Sequence, residues 1–208
     1  MKEQQTRFRK LGLVLAASLV LIASLYASAL PIGVLPNGRA ATPPTADQPL
    51  LTLILVRHAE KEIVPPENKD PNLSGAGQAR AQELRRMFDG AGIAAIYATQ
   101  YKRTQQTVKP LADKLGLAVT KVEAKETSEL VKQIRARPAG QTIFIAGHNN
   151  TVPEIIAAMG GPQMPIIPET EYDNLYVLTV PSEGPAKLLK LKYGSALPAV
   201  GDQRMTKP

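Results

Sequence analysis

From Leu50 onward, short and nearly continuous apolar runs alternate with helix-like segments. This alternation constrains the fold more than any other feature of the chain. The run Leu51-Thr52-Leu53-Ile54-Leu55-Val56 is too apolar for a strand with one wet face and reads as a strand covered on both sides. Thr142-Ile143-Phe144-Ile145-Ala146 repeats the pattern. Between them, Ser74 is placed to cap a helix reaching about Phe88, with Ala81, Leu84 and Phe88 on one face and Gly90 beyond its end. Ala94 to Ala98 reads as a strand, followed by a helix from about Lys102 to Leu115 that contains Pro110 and stops at Gly116. A strand over Leu117 to Val122 and a helix over Thr127 to Ala136 complete this half. A helix from Val152 to Met159 ends at Gly160-Gly161-Pro162, and two more strands follow at Leu175 to Val180 and Lys187 to Leu191. The expected architecture is a three-layer α/β/α sandwich with a mostly parallel central sheet, occupying residues 50–208. Such sheets bind ligands beyond the carboxyl ends of their strands.

The first 49 residues are of another kind. No charged residue falls between Lys10 and Arg39, and Leu11 to Leu30 is almost wholly apolar or small. A basic start followed by such a run predicts a hydrophobic helix that acts as a signal peptide or membrane anchor over residues 1–30. The length favours an anchor, whereas Ala27-Ser28-Ala29 offers a cleavage pattern. Either way, the cluster Arg7, Arg9 and Lys10 places the remainder outside the cytoplasm. Residues 31–49, rich in Pro, read as a linker.

This division explains the charge. Of the formal +7, the residues up to Pro44 carry five basic side chains against Glu3 alone, leaving +3 for the rest, with acids and bases interspersed. Nucleic-acid binding is therefore not expected. The 208 residues contain no Cys, which removes thiol nucleophiles, disulfides and Cys-based zinc sites, and two His are too few for a multi-histidine metal centre. No cofactor or metal is implied.

Both histidines follow predicted buried strands. The first strand runs into Arg57-His58-Ala59-Glu60 and the fourth into Gly147-His148-Asn149-Asn150, while the second leads to Tyr101-Lys102-Arg103-Thr104. A single histidine in such a place is as readily a structural residue as a ligand, but three strands delivering two His and two Arg to one sheet edge describe a site. Guanidinium forks match phosphate oxygens. Their fixed charge also favours a neutral imidazole, which can attack phosphorus and carry the phosphoryl group covalently.

These residues resemble the histidine phosphatase (phosphoglycerate mutase-like) superfamily, in a compact branch. Leu55-Val56-Arg57-His58-Ala59-Glu60-Lys61 is similar to its Arg-His-Gly/Ala signature, and Asp70-Pro71-Asn72-Leu73-Ser74-Gly75-Ala76-Gly77 to the helix entry that follows. Ala98-Thr99-Gln100-Tyr101-Lys102-Arg103-Thr104 is similar to the segment with the second arginine, and Gly147-His148-Asn149 to the second histidine motif. The resemblance implies that His58 is the nucleophile and that Arg57, Arg103 and His148 bind the phosphoryl group. Glu126 is the expected general acid, with Glu60, Glu123 and Glu129 as alternatives.

The implied activity is a metal-independent phosphatase that hydrolyses phosphomonoesters through a phosphohistidine, with a small phosphorylated substrate. A catalytically silent, membrane-tethered phosphate-binding module is the alternative, and a phosphomutase a further one that the compact domain disfavours. Lys61 and Lys69 are either substrate-steering or simply solvated, and Ile63 to Asn68 is either a pocket rim or a connector. Tyr172, Tyr176 and Tyr193 are too scattered to suggest a stacking surface.

Overall fold

The chain divides into two units, Met1–Ala46 and Asp47–Pro208, and the computed structural model describes residues 50–194, which fall within the second. The expected hydrophobic helix, the signal or anchor and the linker lie outside the described residues. Among the described residues, no helix is long and apolar enough to cross a membrane.

In chain order the elements are β1 (Leu51–Arg57), α1 (Gly75–Phe88), β2 (Ile93–Thr99), α2 (Lys102–Leu115), β3 (Val119–Val122), α3 (Thr127–Arg135), β4 (Thr142–Gly147), α4 (Thr151–Ala158), β5 (Asn174–Val180) and β6 (Lys187–Lys192). The strands form one six-stranded sheet in the order β3-β2-β4-β1-β5-β6. β1, β2, β3 and β4 run parallel, whereas β5 and β6 pair antiparallel. Only β5 opposes its neighbours, so β6 again runs in the direction of β1 to β4 and the sheet is mostly parallel, as expected. The short link between β5 and β6 fits this, because a hairpin can join only antiparallel neighbours.

β1 shows why its sequence is apolar throughout. Leu51, Leu53 and Leu55 pack into one core with Leu130, Val131 and Ile134 of α3 and Val152, Ile155 and Ile156 of α4. Ile54 and Val56 pack into a second core with Leu84 of α1 and Val108 and Leu111 of α2. Alternate side chains of one strand therefore serve opposite faces, and helices cover both. Leu53, Leu55 and Val56 are wholly buried. Each is worth about 1.5–3 kcal/mol by area removed from water.

The punctuation follows the sequence closely. Ser74 caps α1, its hydroxyl accepting from the Gly77 amide at 3.2 Å. α2 runs through Pro110 and ends at Gly116, which adopts φ +66°, a conformation that costs an L side chain energy. β3 starts two residues later than the apolar pattern suggests because the Leu117 amide is held by the Ala112 carbonyl at 3.0 Å, as part of the helix cap.

Candidate active site

The register of the sheet assembles the site. Arg57 at the end of β1 lies opposite Gly147 at the end of β4, and the His58 amide donates to the Gly147 carbonyl at 2.9 Å. The residues just beyond, His58 and His148, consequently stand side by side, with ring centroids 5.3 Å apart. β2 flanks β4 on the other side, and Thr99 at its end lies 2.8 Å from His148 Nε2 through its hydroxyl. These groups open into a cavity of about 440 Å³ whose wall includes Arg57, His58, Arg103 and His148. All four expected phosphoryl-site residues are thus brought together.

His58 is buried, and its Nδ1 lies 2.8 Å from the Ala59 carbonyl. A carbonyl only accepts, so Nδ1 carries the proton and Nε2 keeps its lone pair. The Ala59 amide is itself held by Thr107 Oγ1 at 2.9 Å. Burial, above all, pushes the His58 pKa down to about 3, aided by Arg103, Arg57 and His148 and opposed by the Ala59 bond. His148 is lowered to about 4 by burial and by the same two arginines. Both rings are therefore neutral at pH 7.

Arg57 is almost sealed from solvent, with 2% of its side chain exposed. It donates to the Pro168 carbonyl at 2.8 Å and the Glu171 carbonyl at 3.2 Å, and pairs with Glu169. Its guanidinium lies over the Tyr172 ring at 4.3 Å. Arg103 lies over Tyr101 at 4.3 Å and 3.8 Å from Asp70. Asp70 also accepts from the Lys102 amide at 2.8 Å, which fixes the entry to α2. The Nε–H groups of both arginines are buried without an acceptor.

The carboxylates are placed otherwise than the sequence suggests. Glu126 stands at the N-terminus of α3 and is not in the cavity wall, which is formed there by Ala124 and Lys125. Glu60 is held by Arg80 through bonds of 2.8 and 3.0 Å, a largely buried clamp two residues after His58. Glu129 bonds Gln133 on its own helix, and Glu123 borders a small apolar hollow rather than the site. The carboxylate in the wall is Glu169, which accepts from Asn149 Nδ2 at 2.7 Å and pairs with Arg57. Nothing periodic marks Glu169, which sits in the Pro-rich stretch after α4. The stretch returns to the site because the Ile167 amide donates to the Asn149 carbonyl at 2.9 Å, a long-range contact that no local pattern announces. Tyr172, which no motif or spacing groups with the site, lies on Arg57. Lys61 lines the cavity and, with Lys69 and Ile63 to Pro66, a second cavity of about 460 Å³ beside it, so this stretch is a rim. Among the described residues, no group of three or more acidic or histidine side chains is placed to hold a metal.

Comparison with known proteins places this geometry. Residues 53–126, which carry Arg57, His58 and Arg103, match the family model of the histidine phosphatase superfamily, branch 1. The match falls on three of the four motifs that carry the resemblance and leaves out the one containing His148. Its fold is shared by a protein described as a SixA phosphohistidine phosphatase from Agrobacterium tumefaciens, with 20% identity and a TM-score of 0.52 over 68% of this chain and 98% of that one. A SixA protein histidine phosphatase complexed with tungstate has 14% identity and a TM-score of 0.54 over 68% and 96% of the two chains. Mycobacterial hydrolase 2 has 11% identity and a TM-score of 0.55 over 72% and 94%. At these identities the likeness concerns the fold. No curated protein matches the chain.

Proposed function

We propose that this protein is a phosphatase that hydrolyses phosphomonoesters through a phosphohistidine on His58, and that it works outside the cytoplasm. The observation that carries the reading is the fixed tautomer of His58. Its Nδ1–H is tied to the Ala59 carbonyl, so the Nε2 lone pair remains for attack beside His148 and two arginines. In the first step Nε2 bonds to phosphorus and the P–O ester bond breaks, the leaving oxygen taking a proton. In the second, water attacks phosphorus, the P–N bond breaks and phosphate leaves. Arg57 and Arg103 offer preorganised charge to the transferring oxygens, and their unpaired Nε–H groups fit a site built for an oxyanion. Glu169, as the carboxylate in the wall, is better placed than Glu126 to move the proton. The tungstate complex of a fold relative is in keeping with an oxyanion pocket of this kind. The location rests on the basic and apolar segment that precedes the domain.

Hydrolysis of p-nitrophenyl phosphate and a sugar-phosphate panel by the full chain tests the activity. Radiolabel from a phosphorylated substrate should be trapped as an acid-labile adduct, and His58→Ala should abolish both adduct and turnover. Phosphate binding without turnover would instead establish the silent binding module. Equal turnover by His58→Ala would refute the covalent route.

A further inference from the structure

Behind His148 runs a chain of hydroxyl groups whose direction is set by its far end. Thr104 Oγ1 lies 2.7 Å from the Tyr101 carbonyl and 3.0 Å from the Thr99 carbonyl. Carbonyls accept only, so the single Thr104 hydroxyl proton is donated to them. The Thr99 carbonyl already accepts from Gln105 Nε2 at 2.6 Å, which leaves the Tyr101 carbonyl as the main acceptor. Thr104 Oγ1 can then only accept from Thr99 Oγ1, 2.8 Å away, and that contact uses the Thr99 proton. What Thr99 Oγ1 presents to His148 Nε2, also 2.8 Å away, is a lone pair. The imidazole must donate, so its proton sits on Nε2. In the neutral ring, Nδ1 then carries the lone pair, and no hydrogen bond among the described residues engages it.

A phosphoryl oxyanion consists of acceptors only. Against neutral His148 it meets a lone pair with a lone pair, and it gains a donor only when Nδ1 is protonated. We propose that Thr99 and Thr104 are positioning residues that hold the His148 proton on Nε2, so that an oxyanion enters the cavity together with a proton taken up at Nδ1. This rests on His148 being a phosphoryl ligand. The charged and titratable groups around the ring are Arg57 at the end of β1, His58 and Lys61 after it, Tyr101 and Arg103 around the start of α2, Lys125 before α3 and Glu169 before β5. Burial and, after it, Arg103 and Arg57 keep the ring neutral, and an arriving dianion offsets the two arginines. The chain of hydroxyls therefore ties anion binding to a proton taken up at Nδ1.

The test is calorimetric titration of the full chain with sulfate at pH 7, in buffers of different ionisation enthalpy. Sulfate does not titrate in this range, so the protons counted are the protein's. The expected uptake is about one proton per sulfate bound. In Thr104→Val the Thr99 hydroxyl loses its acceptor and turns to donate to His148 Nε2, which moves the ring proton to Nδ1. Sulfate then finds a donor without uptake, and the count should fall towards zero. Thr104→Ser should restore it. His58→Asn should leave the count unchanged, since it removes only the other imidazole. Sulfate binding by the native protein without proton uptake, or an undiminished count in folded Thr104→Val, would overturn the inference while leaving the phosphatase reading intact. Failure of the native protein to bind sulfate, phosphate or tungstate would overturn both.

Discussion

The two buried imidazoles make this fold sensitive to mild acid by an amount that follows from the geometry. Unfolded, each histidine titrates near 6.5; folded, His58 is held at about 3 and His148 at about 4. Between these values the unfolded chain binds more protons than the native one, so stability rises with pH and is lost as pH falls below 6.5. Going from pH 7 to pH 5, each ring costs about 2 kcal/mol, because at pH 5 it is protonated when unfolded and neutral when folded. Together the loss is about 4 kcal/mol, a large part of a typical domain's stability.

Urea unfolding of the native chain and of a His58→Asn, His148→Asn double variant, at both pH values, isolates the effect. The native protein should lose about 4 kcal/mol more than the variant over that interval, and each single variant should recover about half. Identical losses in native and double-variant proteins would refute the reasoning, since they would mean that neither ring is held neutral by its surroundings. The physical cause is also the functional one. Under the proposed phosphatase reading, withholding water from His58 and surrounding it with fixed positive charge keeps the ring in the form that can attack phosphorus.

Three further outcomes are expected. Gly77→Ala should destabilise by about 1–3 kcal/mol in thermal or urea unfolding, although alanine is ordinarily the better helix residue. The new methyl would stand 2.1 Å from the Glu60 carbonyl oxygen, a backbone atom that also accepts from the Ser74 amide at 2.9 Å. Glu60→Gln should cost about 3 kcal/mol in the same assay, because Arg80, itself 5% exposed, would lose its charged partner. If stability is unchanged, the clamp carries no net weight. Glu169→Gln should tighten inhibition by inorganic phosphate roughly 3- to 10-fold, since it removes a carboxylate that competes for Arg57. An unchanged inhibition constant would show that Glu169 stands clear of the bound anion.

The parts of this protein that were legible in the sequence are those that local physics decides. A strand buried on both faces must be apolar throughout, so β1 and β4 announce themselves. A serine before a helix and a glycine after one satisfy backbone groups within a few residues, so Ser74 and Gly116 mark their boundaries. Because ligands of such sheets gather at the strands' carboxyl ends, Arg57, His58, Arg103 and His148 could be grouped before any coordinates. The reversed course of β5 was not legible, since an apolar run carries no direction.

The proton chemistry of the site belongs to tertiary structure for a related reason. Glu126 and Glu169 look alike as residues, both near turns, yet the loop packed over Arg57 puts Glu169 in the cavity wall and leaves Glu126 outside it. Thr99 and Thr104 are ordinary residues at a strand end and a helix start, and what they do to His148 depends on distances below 3 Å across separate strands. Sequence by itself determined the layers, the helix caps and the residues that could carry a phosphoryl group. Only the packing of distant segments decided which acid joins them and where each imidazole keeps its proton, because hydrogen-bond direction and burial are properties of contacts between elements and not of any one of them.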